Sequence, residues 1–103
     1  MSISPDESLI VNSHRTVIKN FSSEPTVFDL PVDSSISTSA KLNDFFWLSN
    51  IGVAYFSENN NHFLNIVDIQ ATRTLGVIAL EGDIVSVEKL NNVLLLTRLN
   101  DFI

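Results

Sequence analysis

A chain of 103 residues with 45% hydrophobic content suffices for one modest core and falls short of what two independent domains need. Six Lys and Arg against twelve Asp and Glu leave a net charge of −6, which repels nucleic-acid phosphates and anionic lipid headgroups, so neither nucleic acid nor a membrane is an expected partner. The lack of cysteine excludes a disulfide framework, a thiolate metal site and a cysteine nucleophile, and it fits a reducing compartment, so the expected location is cytoplasmic or nuclear.

From the N-terminus, Met1 to Glu7 holds two acids and a proline where a secretory signal needs positive charge and then an apolar run, so no signal peptide is expected. Helical three- and four-residue spacing rarely persists beyond one turn, whereas short runs of Val, Ile, Phe, Tyr and Leu recur between clusters of Asn, Ser, Asp and Gly. Strands are expected at Leu9–Asn12, Thr16–Phe21, Thr26–Leu30, Ile36–Leu42, Phe45–Leu48, Val53–Ser57, Phe63–Ile69, Thr74–Leu80, Ile84–Lys89 and Val93–Arg98. Between them, Ser22 to Pro25, Pro31 to Ser35, Ser49 to Gly52, Glu58 to Asn61, Glu81 to Asp83 and Asn91-Asn92 supply residues that tolerate tight turns. The longest apolar stretches, Phe45–Leu48 and Val93–Leu96 among them, are four residues long and far below the roughly 20 needed to span a bilayer.

Self-similarity is the most informative pattern. Val27-Phe28-Asp29-Leu30 and Ile66-Val67-Asp68-Ile69 share an apolar, apolar, Asp, apolar pattern, and the step from Asp29 to Asp68 sets an offset of 39. Leu9, Leu48 and Val87 fall on the same spacing, as do Val17, Phe56 and Leu95, Ile36 and Leu75, and Asp44 and Asp83. A competing register aligns Ile36 to Asn43 with Ile84 to Asn91 through their common Lys-Leu-Asn, at an offset of 48, and covers fewer strands.

A four-stranded unit of about 40 residues whose third strand ends in an apolar-Asp pair resembles the WD40 repeat. Phe28-Asp29 and Val67-Asp68 stand where the family has Trp-Asp, Asn43-Asp44 and Gly82-Asp83 stand where Gly-His is usual, and Ser4 to Leu9 is similar to its Ser-Pro-Asp-Gly turn. Neither that Trp nor a Gly-His pair is present, so the family's buried His, Ser/Thr, Asp, Trp network does not form. The resemblance implies an all-β fold of antiparallel four-stranded blades, about two and a half in one domain over 1–103: a blade at 4–42, a blade at 43–81 and an incomplete blade at 82–103. The sequence stops after a second strand of the last unit, which implies a fragment, a truncated reading frame or open edges covered by a partner.

No catalytic site is expected. His14 beside Ser13 supplies, with Asp29, the elements of an acyl-transfer triad, but His14 and Arg15 read as solvated turn residues and His62 as a turn residue opening a strand. Asp29, Asp44, Asp68 and Asp83 sit at strand ends, where carboxylates accept bonds from backbone N–H groups. The three glycines are isolated, so no phosphate loop forms, and no cofactor is expected. Alternation sends Phe45 and Trp47 to one face of a strand and Phe46 to the other, so one face must meet an adjacent sheet or a partner, with Phe46 or Trp47 as the possible partner-binding anchor. The implied function is a non-catalytic protein-protein interaction scaffold whose partners are other proteins or the missing blades of a longer chain. Two alternatives stand beside it: an inactive relic of a longer propeller protein, and a small ligand-binding β-sandwich with a closed core.

Overall fold

A computed structural model describes residues 2–5, 7–12, 14–19, 24–48, 51–80, 83–91 and 93–99, without the side chains of 83–85 and 98–99. The described residues form ten strands: β1 (Ser2–Ile3), β2 (Leu9–Val11), β3 (Thr16–Lys19), β4 (Thr26–Asp29), β5 (Lys41–Leu48), β6 (Ile51–Glu58), β7 (Asn61–Asp68), β8 (Arg73–Leu80), β9 (Asp83–Leu90) and β10 (Val93–Leu99). They make three sheets in chain order, β1-β2-β3-β4 (sheet I), β5-β6-β7-β8 (sheet II) and β9-β10 (sheet III), and every pairing is antiparallel. The fold is all-β.

Short polar turns make each strand pair with its successor. Between β6 and β7 the two-residue loop Asn59-Asn60 has φ of 50° and 68°, a left-handed pair whose twist matches that of the flanking strands. Asn12 closes the β2–β3 turn, with Oδ1 accepting the N–H groups of His14 at 2.9 Å and Thr16 at 3.1 Å. Ser4 does the same after β1: its Oγ accepts the Leu9 N–H at 3.1 Å.

One expected strand is replaced by turns. Instead of running from Ile36 to Leu42, the chain makes two successive turns, closed by Ile36 N–H on the Asp33 carbonyl and Ala40 N–H on the Ser37 carbonyl. Side chains explain the difference: Asp33 Oδ1 accepts the Ser35 N–H at 2.9 Å and Ser37 Oγ accepts the Ser39 N–H at 3.1 Å, local bonds that compete with a ladder. These bonds to Ser35 also hold the Asp33 carboxyl below its usual range. Leu42 instead joins Phe45–Leu48 in one eight-residue strand, β5. The two-residue β1 lies within Met1 to Glu7, where no strand was expected, and Phe21, the expected end of the second strand, lies outside the described residues.

The sheets also revise the repeat. Asp29 ends β4, the fourth strand of sheet I, whereas Asp68 ends β7, the third strand of sheet II, so the two apolar-Asp pairs that set the offset of 39 hold different places. Sheet I reaches its last strand sooner because its strands are two to four residues long, against eight in sheet II. The Lys-Leu-Asn segments fail too, since one opens β5 and the other closes β9. Structural equivalence appears at an offset of 42 instead. β5 and β9 start at 41 and 83, β6 and β10 at 51 and 93, and the hairpins close on the equivalent pairs Leu48↔Ile51 and Leu90↔Val93. Each hairpin skips one residue in its ladder, Asn43 in β5 and Val85 in β9, again at that offset. A bulge sharpens local twist, so both hairpins carry the same bend at the same place.

Packing follows from strand alternation. The inner face of sheet I (Leu9, Val11, Val17, with Phe28 alongside) and one face of sheet II (Leu42, Phe45, Trp47, Ala54, Phe56, Val67) share a single buried cluster. The opposite face of sheet II (Phe46, Val53, Tyr55, Leu64) forms a second cluster with Val87 and, at its margin, Leu94 of sheet III. Sheet II is therefore covered on both faces by its sequence neighbours. The chain measures 54 × 29 × 20 Å.

Candidate functional site

The surfaces between and outside the sheets are the functional candidates. At the junction of sheets I and II, Phe45 and Trp47 meet edge to face with centroids 5.0 Å apart. Gly52 lies opposite Trp47 in the ladder, and a Cβ there would stand 2.2 Å from Phe45 Cζ, so the backbone at 52 is the floor on which that ring rests. Trp47 Nε1 is buried without a hydrogen-bond partner among the described residues, a cost the surrounding apolar contacts must offset.

Two polar side chains fix the segment 30–40 that links sheets I and II. Fully buried Asn65 on β7 donates from Nδ2 to the Pro31 carbonyl at 3.0 Å and accepts the Asp33 N–H on Oδ1 at 3.1 Å. Arg15, expected as a solvated turn residue, turns inward: its guanidinium donates to the Ser37 carbonyl at 3.3 Å and to the Ala40 carbonyl, and it lies 4.6 Å from the centroid of the Phe56 ring. Asn65 left a signal in the sequence as the polar member of Phe63-Leu64-Asn65-Ile66-Val67; Arg15 left none, because its role depends on a segment 22 to 25 residues away.

Phe46 and Trp47 occupy these junctions. Both are buried, Trp47 against sheet I and Phe46 against sheet III, on opposite faces as alternation requires. Within this chain both meet sibling sheets.

At the rim of the second junction, Tyr55 OH and His62 Nδ1 are 2.8 Å apart, with their rings stacked at 5.9 Å. Burial pushes the Tyr55 phenol above its ordinary value of 10.0. The folded chain then holds the phenolic proton more tightly than the unfolded chain. This contribution is complete below about pH 10 and is lost as pH rises through the phenol range. Thermal unfolding at stepped pH is expected to show a melting temperature that declines above about pH 10, with part of that decline absent in Tyr55→Phe.

His14 is exposed in the β2–β3 turn; the ladder sets Asp29 opposite Thr16, and Ser13 lies outside the described residues. Asp44, expected to begin a strand, lies inside β5, where its Oδ1 accepts the Phe45 N–H at 2.9 Å; Asp68 ends β7 and its Oδ1 accepts the Ala71 N–H at 3.2 Å, as expected of a strand-end carboxylate. Gly82 lies outside the described residues, as does the Asp83 side chain. Among the described residues no group of three His, Asp or Glu stands where it could hold a metal ion, and no helix is long and apolar enough to cross a membrane. A polar notch of about 60 Å³ between Ser2, Asn12, Asn43 and Asp44 is far smaller than the roughly 300–1,000 Å³ of small-molecule pockets.

The outer faces of the end sheets remain. Cross-strand partners share a face, and the ladder of sheet I aligns Ile3, Ile10, Ile18 and Val27 in one row across all four strands, on the side away from sheet II. The outer face of sheet III carries Leu90, Val93 and Leu95, all exposed, together with Glu88, Ser86 and Thr97.

Together these features define the class as an all-β protein of antiparallel sheets stacked face to face in chain order, with apolar outer faces. Compared with known proteins, the chain matches no family model, no curated protein and no solved structure.

Proposed function

We propose that this chain is a non-catalytic protein-protein interaction scaffold, built as part of a WD40-like propeller and acting in the cytoplasm or nucleus. One observation carries the reading: successive sheets stack on one another, and the bulged hairpin that opens sheet II recurs at the opening of sheet III. Sheets that cover each other in sequence order are the unit of propeller and solenoid architectures, in which an end unit without a polar cap keeps an apolar outer face that a partner can cover. Support for a WD40-like repeat rests on these sheets and on the position of Asp68 at the end of a third strand; Asp29 lends none. The binding surfaces in this reading are the two apolar outer faces, which are contiguous across neighbouring strands rather than scattered single side chains.

A photo-crosslinking residue tests this directly. Placed in living cells at Thr97, on the outer face of sheet III, it is expected to yield discrete covalent adducts with protein, and at Thr72, in the exposed β7–β8 turn, it is expected to yield none. Equal labelling at the two positions, or no adduct at Thr97, would contradict the scaffold reading.

A further inference from the structure

We infer that the partner of each outer face is a second copy of this chain, joined head to tail so that the outer face of sheet III in one copy packs on the outer face of sheet I in the next. The inference rests on the scaffold reading, since it takes the same faces as binding surfaces, and it adds the identity of the partner. Direction decides which face meets which. Every sheet has a face toward its predecessor and a face toward its successor, and both junctions within the chain join a successor face to a predecessor face: sheet I to sheet II, then sheet II to sheet III. The equivalence of the two bulged hairpins extends this rule to the end of the stack. Leu90, Val93 and Leu95 correspond to Leu48, Ile51 and Val53, and in sheet II that face, with Val53 buried and Leu48 at the margin, is the one covered by the next sheet. In sheet III the same positions are 59%, 56% and 45% exposed.

At the other end, the outer face of sheet I is a predecessor face. It presents the uncharged row Ile3, Ile10, Ile18 and Val27, with Ile3 51% and Val27 62% exposed at its two ends. One copy therefore offers a free successor face, another a free predecessor face, and their union continues the arrangement already made twice inside the chain. Glu88 sits on the successor face on β9, and Asp29 on the predecessor face on β4; the apolar rows, not charge pairing, supply the contact. Because the two surfaces differ, the contact is heterologous and leads to rings or to open stacks according to whether its rotation closes.

Such a contact has a signature that a symmetric dimer lacks. Sedimentation velocity of the full chain is expected to show assembly that grows with concentration. Leu95→Asp blocks the sheet III face and Val27→Asp blocks the sheet I face. Each alone is expected to abolish assembly, while an equimolar mixture of the two forms a one-to-one dimer and nothing larger, because each variant keeps the face the other lacks. Both substitutions fall on exposed positions, and far-ultraviolet circular dichroism checks the fold; if either variant fails that check, Val93→Asp and Ile3→Asp repeat the test on the same two faces. A wild-type monomer at all concentrations, assembly sensitive to only one of the faces, or a mixture that stays monomeric would each overturn the proposal. Monomeric behaviour combined with Thr97 adducts to other proteins would remove self-assembly and leave the scaffold reading intact.

Discussion

Replacing Phe56 with Ala is expected to lower the unfolding free energy by about 3–5 kcal/mol, the usual cost of removing a buried aromatic ring. The side chain is fully buried on β6 in the cluster that joins sheets I and II. Its loss removes apolar contacts from both sheets at once and leaves a void that the neighbours cannot fill, since Leu42 and Phe63 opposite it are held by the ladder. The Arg15 guanidinium would also lose the ring beneath it, loosening the bonds it makes to Ser37 and Ala40. A domain of this size has about 5–15 kcal/mol in total, so the variant should be partly unfolded at physiological temperature. Urea unfolding measures the difference, with Leu75→Ala as the exposed control, expected to change stability by less than about 0.5 kcal/mol. A loss below about 1 kcal/mol for Phe56→Ala would mean that sheets I and II do not share a packed core.

The second large effect is expected at Asn65. Asn65→Leu keeps the volume and removes the amide, leaving the Pro31 carbonyl and the Asp33 N–H without the partner each now has. Stranding two part-buried backbone groups costs about 2–4 kcal/mol in total, and the segment that holds sheet I against sheet II loses its anchor. Asn65→Asp separates the two bonds. A carboxylate still accepts the Asp33 N–H but presents negative charge to the Pro31 carbonyl, so this variant should be least stable at neutral pH and recover as acid protonates the new side chain. Thermal unfolding of both variants across pH measures this; equal stability at neutral and acidic pH for Asn65→Asp would show that the Pro31 bond contributes nothing.

The fold class was legible because its signal is local. Strand alternation and turn residues are written in short windows, and nine of the ten observed strands, all except β1, overlap an expected one. The division of Phe45 and Trp47 from Phe46 follows from the same period of two and needs no tertiary information. The repeat distance was less legible: in an apolar chain, hydrophobic pairs coincide at many offsets, and the structural equivalence of the two hairpins lies in ladder register and in the bulges at Asn43 and Val85, where the side chains differ. Ile36 to Ala40 misled for a physical reason, since hydroxyl and carboxylate side chains in that stretch compete for the backbone. The apolar outer faces were hidden because exposure depends on which sheets stand next to which, and no single strand states that.

Sheet II is covered on both faces by its sequence neighbours, and inter-residue nuclear Overhauser effects measure this most directly. Cross-peaks are expected from Val87 methyls to side chains of the Phe46, Tyr55 and Leu64 group, and from Leu9, Val11 and Val17 methyls to the group containing Phe45, Trp47 and Phe56, with no exchange of partners between the two sets. Cross-peaks from Val87 to the Trp47 side of the sheet, or Phe46 showing contacts only to residues of its own sheet, would contradict it.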